Sequence, residues 1–136
     1  MQVNTYLNFN GNCEAAFKFY TEALNGTIEA MVPHEGTPAG AHVPAEWSKK
    51  ILYATMSVGI TLLMGSDAPV DRYQKPQGFS VSLQRQRQKK QSERLTRFQK
   101  AGAYGCQYRK PFSRRGSAML VDHFGIPWMI NCAPAA

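Results

Sequence analysis

Histidine and carboxylate side chains are where a chain of this kind would build chemistry, and they are few. The 136 residues include three His and nine Asp or Glu, against sixteen Lys or Arg. Two of the histidines, His34 and His42, share residues 33–48 with Glu35 and Glu46. A His/carboxylate group can ligate a divalent ion or take a proton as a general base. The spacing matches no compact metal motif, so solvated loop residues are the expectation for all four. The third, His123, lies in Asp122-His-Phe-Gly125, where a turn would leave it exposed. Cys13, Cys106 and Cys132 form no CxxC pair. An odd count without a secretory leader points to reduced thiols of a cytoplasmic protein, placed as small buried or half-buried residues. Trp47 and Tyr73 flank two loops, where they would lid an apolar ligand or pack as satellite core. There is no Gly-rich phosphate loop, Ser/His/Asp pattern or Cys/His pairing.

The elements that must position these groups follow from periodicity. Residues 2–9 alternate Val3, Thr5, Leu7 and Phe9 against Asn4, Tyr6 and Asn8, a strand with one apolar face. Asn12 is a suitable N-cap for a helix over 12–24, with Ala15, Ala16, Phe19, Tyr20 and Ala23 at helical spacing and Asn25-Gly26 as its stop. A strand fits 27–32. Residues 33–48, with three Pro and two Gly, read as a long exposed loop or flap. Strands over 50–58 and 60–64 meet at Gly59. After a second loop, 78–83 is again a strand. Apolar runs 119–121 and 126–130 flank the Asp122–Gly125 turn as a hairpin. In its second strand, alternation separates Ile126, Trp128 and Ile130 from Pro127, Met129 and Asn131. Val3, Leu7, Phe9, Phe19, Tyr20, Met56 and Trp128 are expected to be buried. The order β-α-β-β-β, followed by a new β, suggests a second copy of the same unit.

Net charge is +7, which would ordinarily raise nucleic acid or an anionic surface as partner. Eleven of the sixteen basic residues lie between 84 and 115 with a single acid, Glu93; the rest of the chain carries five basic and eight acidic residues, a net of −3. The basicity belongs to one segment.

Four stretches resemble the PhnB-like branch of the glyoxalase/bleomycin-resistance/dioxygenase (vicinal oxygen chelate) superfamily. They are Tyr6-Leu-Asn-Phe-Asn-Gly-Asn-Cys-Glu-Ala-Ala-Phe-Lys-Phe-Tyr20, Leu63-Met-Gly-Ser-Asp67, Gly78-Phe-Ser-Val-Ser-Leu83 and Val121-Asp-His-Phe-Gly-Ile-Pro-Trp-Met-Ile-Asn131. The resemblance implies an α+β fold. Two βαβββ modules would form a half-open, cup-shaped mixed sheet with helices on its outer face, assembled as a homodimer. The chain would be a single domain, with module one at about 1–68 and module two at about 77–133. Metal-using members place His and Glu on inward strand positions that correspond here to Asn4, Tyr53, Ser80 and Met129. That set is poor for a divalent ion. The expectation is therefore a small-molecule-binding protein with no metal and no cofactor. Its ligand would meet Asn4, Tyr6, Tyr53 and Ser80 on a polar wall and Met129 on the floor. Two other readings are a metal-dependent lyase or dioxygenase with a shifted ligand set drawn from His34, Glu35 or His42, and a nucleic-acid-binding module working through the basic segment.

Between residues 84 and 118 the resemblance lapses. Taking the last base of each codon with the first two of the next, from about Gln91 to Ser117, the readings that codon degeneracy permits include most of what the family pattern would place there. Those features include a Glu-Gly-Gly turn, a strand ending in Met-Pro and a Phe-rich strand. The segment therefore reads as an out-of-frame translation. The alternative is a real basic insert, in which Ser92 caps a short helix carrying Leu95 and Phe98 that Gly102 ends.

Overall fold

The structure, a computed structural model, describes residues 1–86 and 118–133. Most of the basic segment, any second-module helix and Cys106 lie outside the described residues. The fold is α+β. Strand β1 (Thr5–Phe9) leads to helix α1 (Cys13–Leu24) and β2 (Thr27–Pro33). Two 3-10 turns (Pro38–His42 and Ala45–Trp47) precede β3 (Ile51–Val58) and β4 (Thr61–Asp67). Then come β5 (Val81–Gln86), β6 (Ala118–Val121) and β7 (Pro127–Ala133). The chain divides into two compact units, Met1–Gln74 and Lys75–Ala136. The first holds a mixed sheet of order β1-β4-β3-β2, with β1 parallel to β4, and is a complete βαβββ module. The second holds a mixed sheet of order β5-β7-β6, with β5 parallel to β7.

In the first unit the helix covers one face of the sheet. Alternation sends Leu7, Phe9, Ala54, Met56 and Leu63 to that face, where all are buried. The helix answers with Cys13, Ala16, Phe17 and Tyr20. This stripe is one residue out of phase with the expected one: Phe19 is half-buried and Ala15 exposed, while Phe17 is fully buried. The reason lies across the sheet. A Cβ on Gly65 would sit 2.8 Å from Phe17 Cε2 and 3.0 Å from the Leu7 carbonyl oxygen. The missing side chain leaves the groove that takes the Phe17 ring, and this sets the rotation of the helix. Phe17 also meets Phe9 edge-on at 6.1 Å between centroids. Val3, expected inside, is 93% exposed, because pairing with β4 starts only at Thr5.

The N-cap also differs from expectation. Asn12 makes no side-chain cap bond, and its Oδ1 is buried without a partner. The Asp67 carboxylate takes over: Oδ1 accepts the Cys13 N–H at 2.9 Å and Oδ2 the Ile51 N–H at 2.8 Å. At the other end Asn25 adopts the left-handed conformation (φ 56°) that stops the helix, as its sequence suggests.

A buried carboxylate also organises the hairpin of the second unit. Asp122 Oδ1 accepts the N–H groups of Phe124 (2.8 Å) and Ile126 (2.9 Å), and Oδ2 accepts Trp128 Nε1–H (2.8 Å). Gly125 supplies the positive φ of the turn (86°). Ile126, Trp128 and Ile130 are buried and Pro127, Met129 and Asn131 half-buried, as alternation requires. Strand β5 starts at Val81, three residues later than the sequence suggested, where its pairing with Trp128 begins.

Candidate functional site

The long loop after β2 is not a free flap. The His34 N–H bonds the Lys50 carbonyl (3.0 Å) and the Glu35 N–H the Ser48 carbonyl (2.8 Å), continuing the β2–β3 pairing past the strand ends. The Thr37 hydroxyl and N–H both bond the His34 carbonyl, closing the start of the loop on itself. Lys50 Nζ reaches the Gly11 carbonyl at 2.8 Å, and Asp67 holds the starts of α1 and β3 together. The loop is thereby tied down at one end of the first sheet, opposite the segment 67–72 that follows β4.

Between them lies a cavity of about 900 Å³. Its walls are largely apolar, supplied by Val43, Pro44, Trp47, Leu52, Pro69 and Val70. Asn8 and Ser66, register partners on the face of the sheet away from the helix, also border it. His42, Glu46, Asp71 and Arg72 contribute exposed charged or titratable groups. A mostly apolar hollow with a few placed polar groups, within the ~300–1,000 Å³ usual for small-molecule sites, is a binding geometry.

Two polar lining groups are buried, Asp67 and His34, at 2% and 4% exposure. Both Asp67 oxygens already accept backbone N–H groups. His34 differs. Its Nδ1 lies 2.9 Å from the Lys50 carbonyl oxygen, which can only accept, so Nδ1 carries the proton. In the neutral ring Nε2 then bears a lone pair. The expectation of a solvated His34 is corrected: the β2–β3 pairing carries it inside. His42 and Glu46 are exposed yet border the same cavity, whereas Glu35 is exposed and does not. Trp47 borders it too; Tyr73, half-buried, does not. Exposed His123 sits edge-on to Phe124 in the second unit.

The residues singled out from sequence lie on the two sheets. In the first unit, Asn4, Tyr6 and Tyr53 share the parity of Asn8 and Ser66, on the face turned from the helix. Tyr6 is 45% and Tyr53 36% exposed, and neither borders the cavity. In the second unit, Ser80 shares its parity with Ser82, whose register partner is Met129, and both Ser80 and Met129 are half-buried. Asn8, Leu52, Ser66, Asp67 and Arg72 were not anticipated as site residues. Signals exist for three of them: Asn8 follows Tyr6 at period two, and Ser66-Asp67 lie between the strand expected over 60–64, which the structure extends to Asp67, and a Pro-containing loop.

The metal chemistry used elsewhere in this fold does not fit these donors. Asn4, Tyr53, Ser80 and Met129 offer an amide, a phenol, a hydroxyl and a thioether, where divalent ions favour imidazole, carboxylate or thiolate. Among the described residues, no three His, Cys, Asp or Glu side chains cluster as a metal site, the cavity histidines included.

The βαβββ module and the four motif stretches define the class: the chain has a PhnB-like glyoxalase/bleomycin-resistance fold. It is similar to protein PA1353 from Pseudomonas aeruginosa, at 37% identity and a TM-score of 0.80 over 98% of each chain. It also matches Protein YjdN of Escherichia coli K12, 25% identical over 96% of this chain and 95% of that one. The PhnB protein from Bacillus cereus shares the fold, with a TM-score of 0.75 at 16% identity over 98% of this chain and all of that one. No protein-family model matches the chain.

Proposed function

We propose that this protein binds a small amphipathic organic molecule in the cavity between the 33–48 loop and the 67–72 segment, without a conventional metal site. The observation that carries this reading is the cavity itself: about 900 Å³, apolar-walled, with one end of the sheet's helix-free face at its border. Asn4, Tyr6 and Tyr53 extend that face along β1 and β3 and are proposed as its outer contacts. Ser80 and Met129 are proposed as the corresponding contacts of the second unit. A homodimer is part of the proposal, supported by the edges of β1 and β2, which no other strand among the described residues covers. So is a cytoplasmic setting, which the free thiol of Cys13 supports. No helix among the described residues is long and apolar enough to cross a membrane.

The test is an amide-resolved NMR titration with 2-naphthol, a bicyclic probe that such a cavity would admit. Shifts should concentrate at Asn8, Trp47, Leu52, Ser66 and Ala68, and Ser66→Tyr, which fills the border of the cavity, should abolish them. Shifts spread evenly over the surface, or none at millimolar probe, would overturn the reading.

A further inference from the structure

We infer that His34 selects the ligand: its Nε2 accepts a hydrogen bond from an O–H or N–H group, so the cavity prefers hydroxyl- or N–H-bearing amphipathic molecules to their O- or N-alkylated counterparts. The inference rests on the cavity being the binding site and adds its chemical preference. Three observations carry it. The tautomer is fixed, because Nδ1–H is committed to the Lys50 carbonyl at 2.9 Å. The same carbonyl also takes the His34 backbone N–H at 3.0 Å, so both ring and backbone are pinned. The residue is 4% exposed, yet Nε2 has no hydrogen-bond partner among the described residues. Nor is Nε2 sealed: the sealed, unpartnered side-chain polar atoms among those residues are Asn12 Oδ1, Trp47 Nε1 and Thr55 Oγ1.

A lone pair on a pinned ring that lines an apolar cavity is poorly hydrated and costly to leave unmatched, and a donor on the ligand restores the lost bond. An ether cannot, and its binding leaves the nitrogen unmet. The other buried polar group of the cavity, Asp67, already accepts one backbone N–H at each oxygen. Among the buried lining groups, His34 therefore supplies the unmatched acceptor.

The experiment compares 2-naphthol with 2-methoxynaphthalene on the full chain and two variants. In His34→Asn the amide can still donate to the Lys50 carbonyl but nothing replaces Nε2. In His34→Gln an amide oxygen can stand near the Nε2 position. The wild type should bind the naphthol roughly tenfold more tightly than the ether, the worth of one hydrogen bond to a buried acceptor. The ¹⁵N signal of His34 Nε2 should move with the naphthol. His34→Asn should remove the preference, and His34→Gln should retain part of it. Equal affinity of both probes for the wild type, or an unchanged preference in His34→Asn, overturns the inference while leaving the cavity as a binding site. Failure of both probes to bind the wild type overturns both.

Discussion

Cys13 shows how burial settles a residue's chemistry. Its thiol lies fully inside the helix–sheet interface, and burial pushes its pKa far above the ordinary range, with the Asp67 and Glu14 charges adding to the shift. The folded state therefore holds this proton more tightly than the unfolded chain does. The stabilisation is fully present below about pH 9, where an unfolded thiol is still protonated, and is lost as pH rises beyond it. Alkylation by iodoacetamide at neutral pH should leave Cys13 unmodified in the native protein and modify it after denaturation, as peptide mass mapping would show. Gly65 carries a steric prediction. Gly65→Ala must displace the Phe17 ring or the Leu7 backbone, and should cost about 1–3 kcal/mol in denaturant-derived stability. A neutral result would mean that the helix shifts at little cost.

At the scale of elements, Asp67 joins three of them. It ends β4 while bonding the first turn of α1 and the first residue of β3. Two hydrogen bonds to a buried carboxylate, each worth ~1.5–3 kcal/mol, make Asp67→Ala destabilising by about 3 kcal/mol or more in chemical denaturation. The same change should loosen the border of the cavity and weaken 2-naphthol binding even where the protein remains folded. Of these elements, helix α1 was legible in sequence to within a residue at its start, because Asn25-Gly26 and apolar spacing act locally. Its phase was not, because that depends on Gly65, some fifty positions away in the chain.

At the scale of the molecule, two proposals remain open to direct measurement. The edges of β1 and β2 carry unpaired backbone groups among the described residues, and a two-fold partner would cover them. Sedimentation at micromolar concentration should show a dimer, with an interface above about 1,000 Å² in total; a clean monomer would remove the dimer from the proposal. The composition raises the second question. We propose that residues 84–118 are an out-of-frame translation, since the shifted readings that their codons permit include the family pattern. Intact-mass measurement should then give a value other than that of the written chain. Agreement with the written 15.2 kDa chain would mean that the basic segment is present in the molecule.

The sequence by itself determined the α+β class, the first βαβββ module and the faces of the C-terminal hairpin. These rest on periodicity, turn residues and motifs that act within a few positions of one another. It also supplied the donor chemistry that argues against a metal at Asn4, Tyr53, Ser80 and Met129. Only the tertiary structure decided that residues 33–48 are pinned rather than free, because the bonds that hold the start of the loop run from His34 and Glu35 to Lys50 and Ser48, at its far end. Only it turned His34 from a loop histidine into a buried one with a fixed tautomer. A tautomer is chosen by the partner of the other ring nitrogen, and that partner, the Lys50 carbonyl, is brought there by strand pairing across sixteen positions.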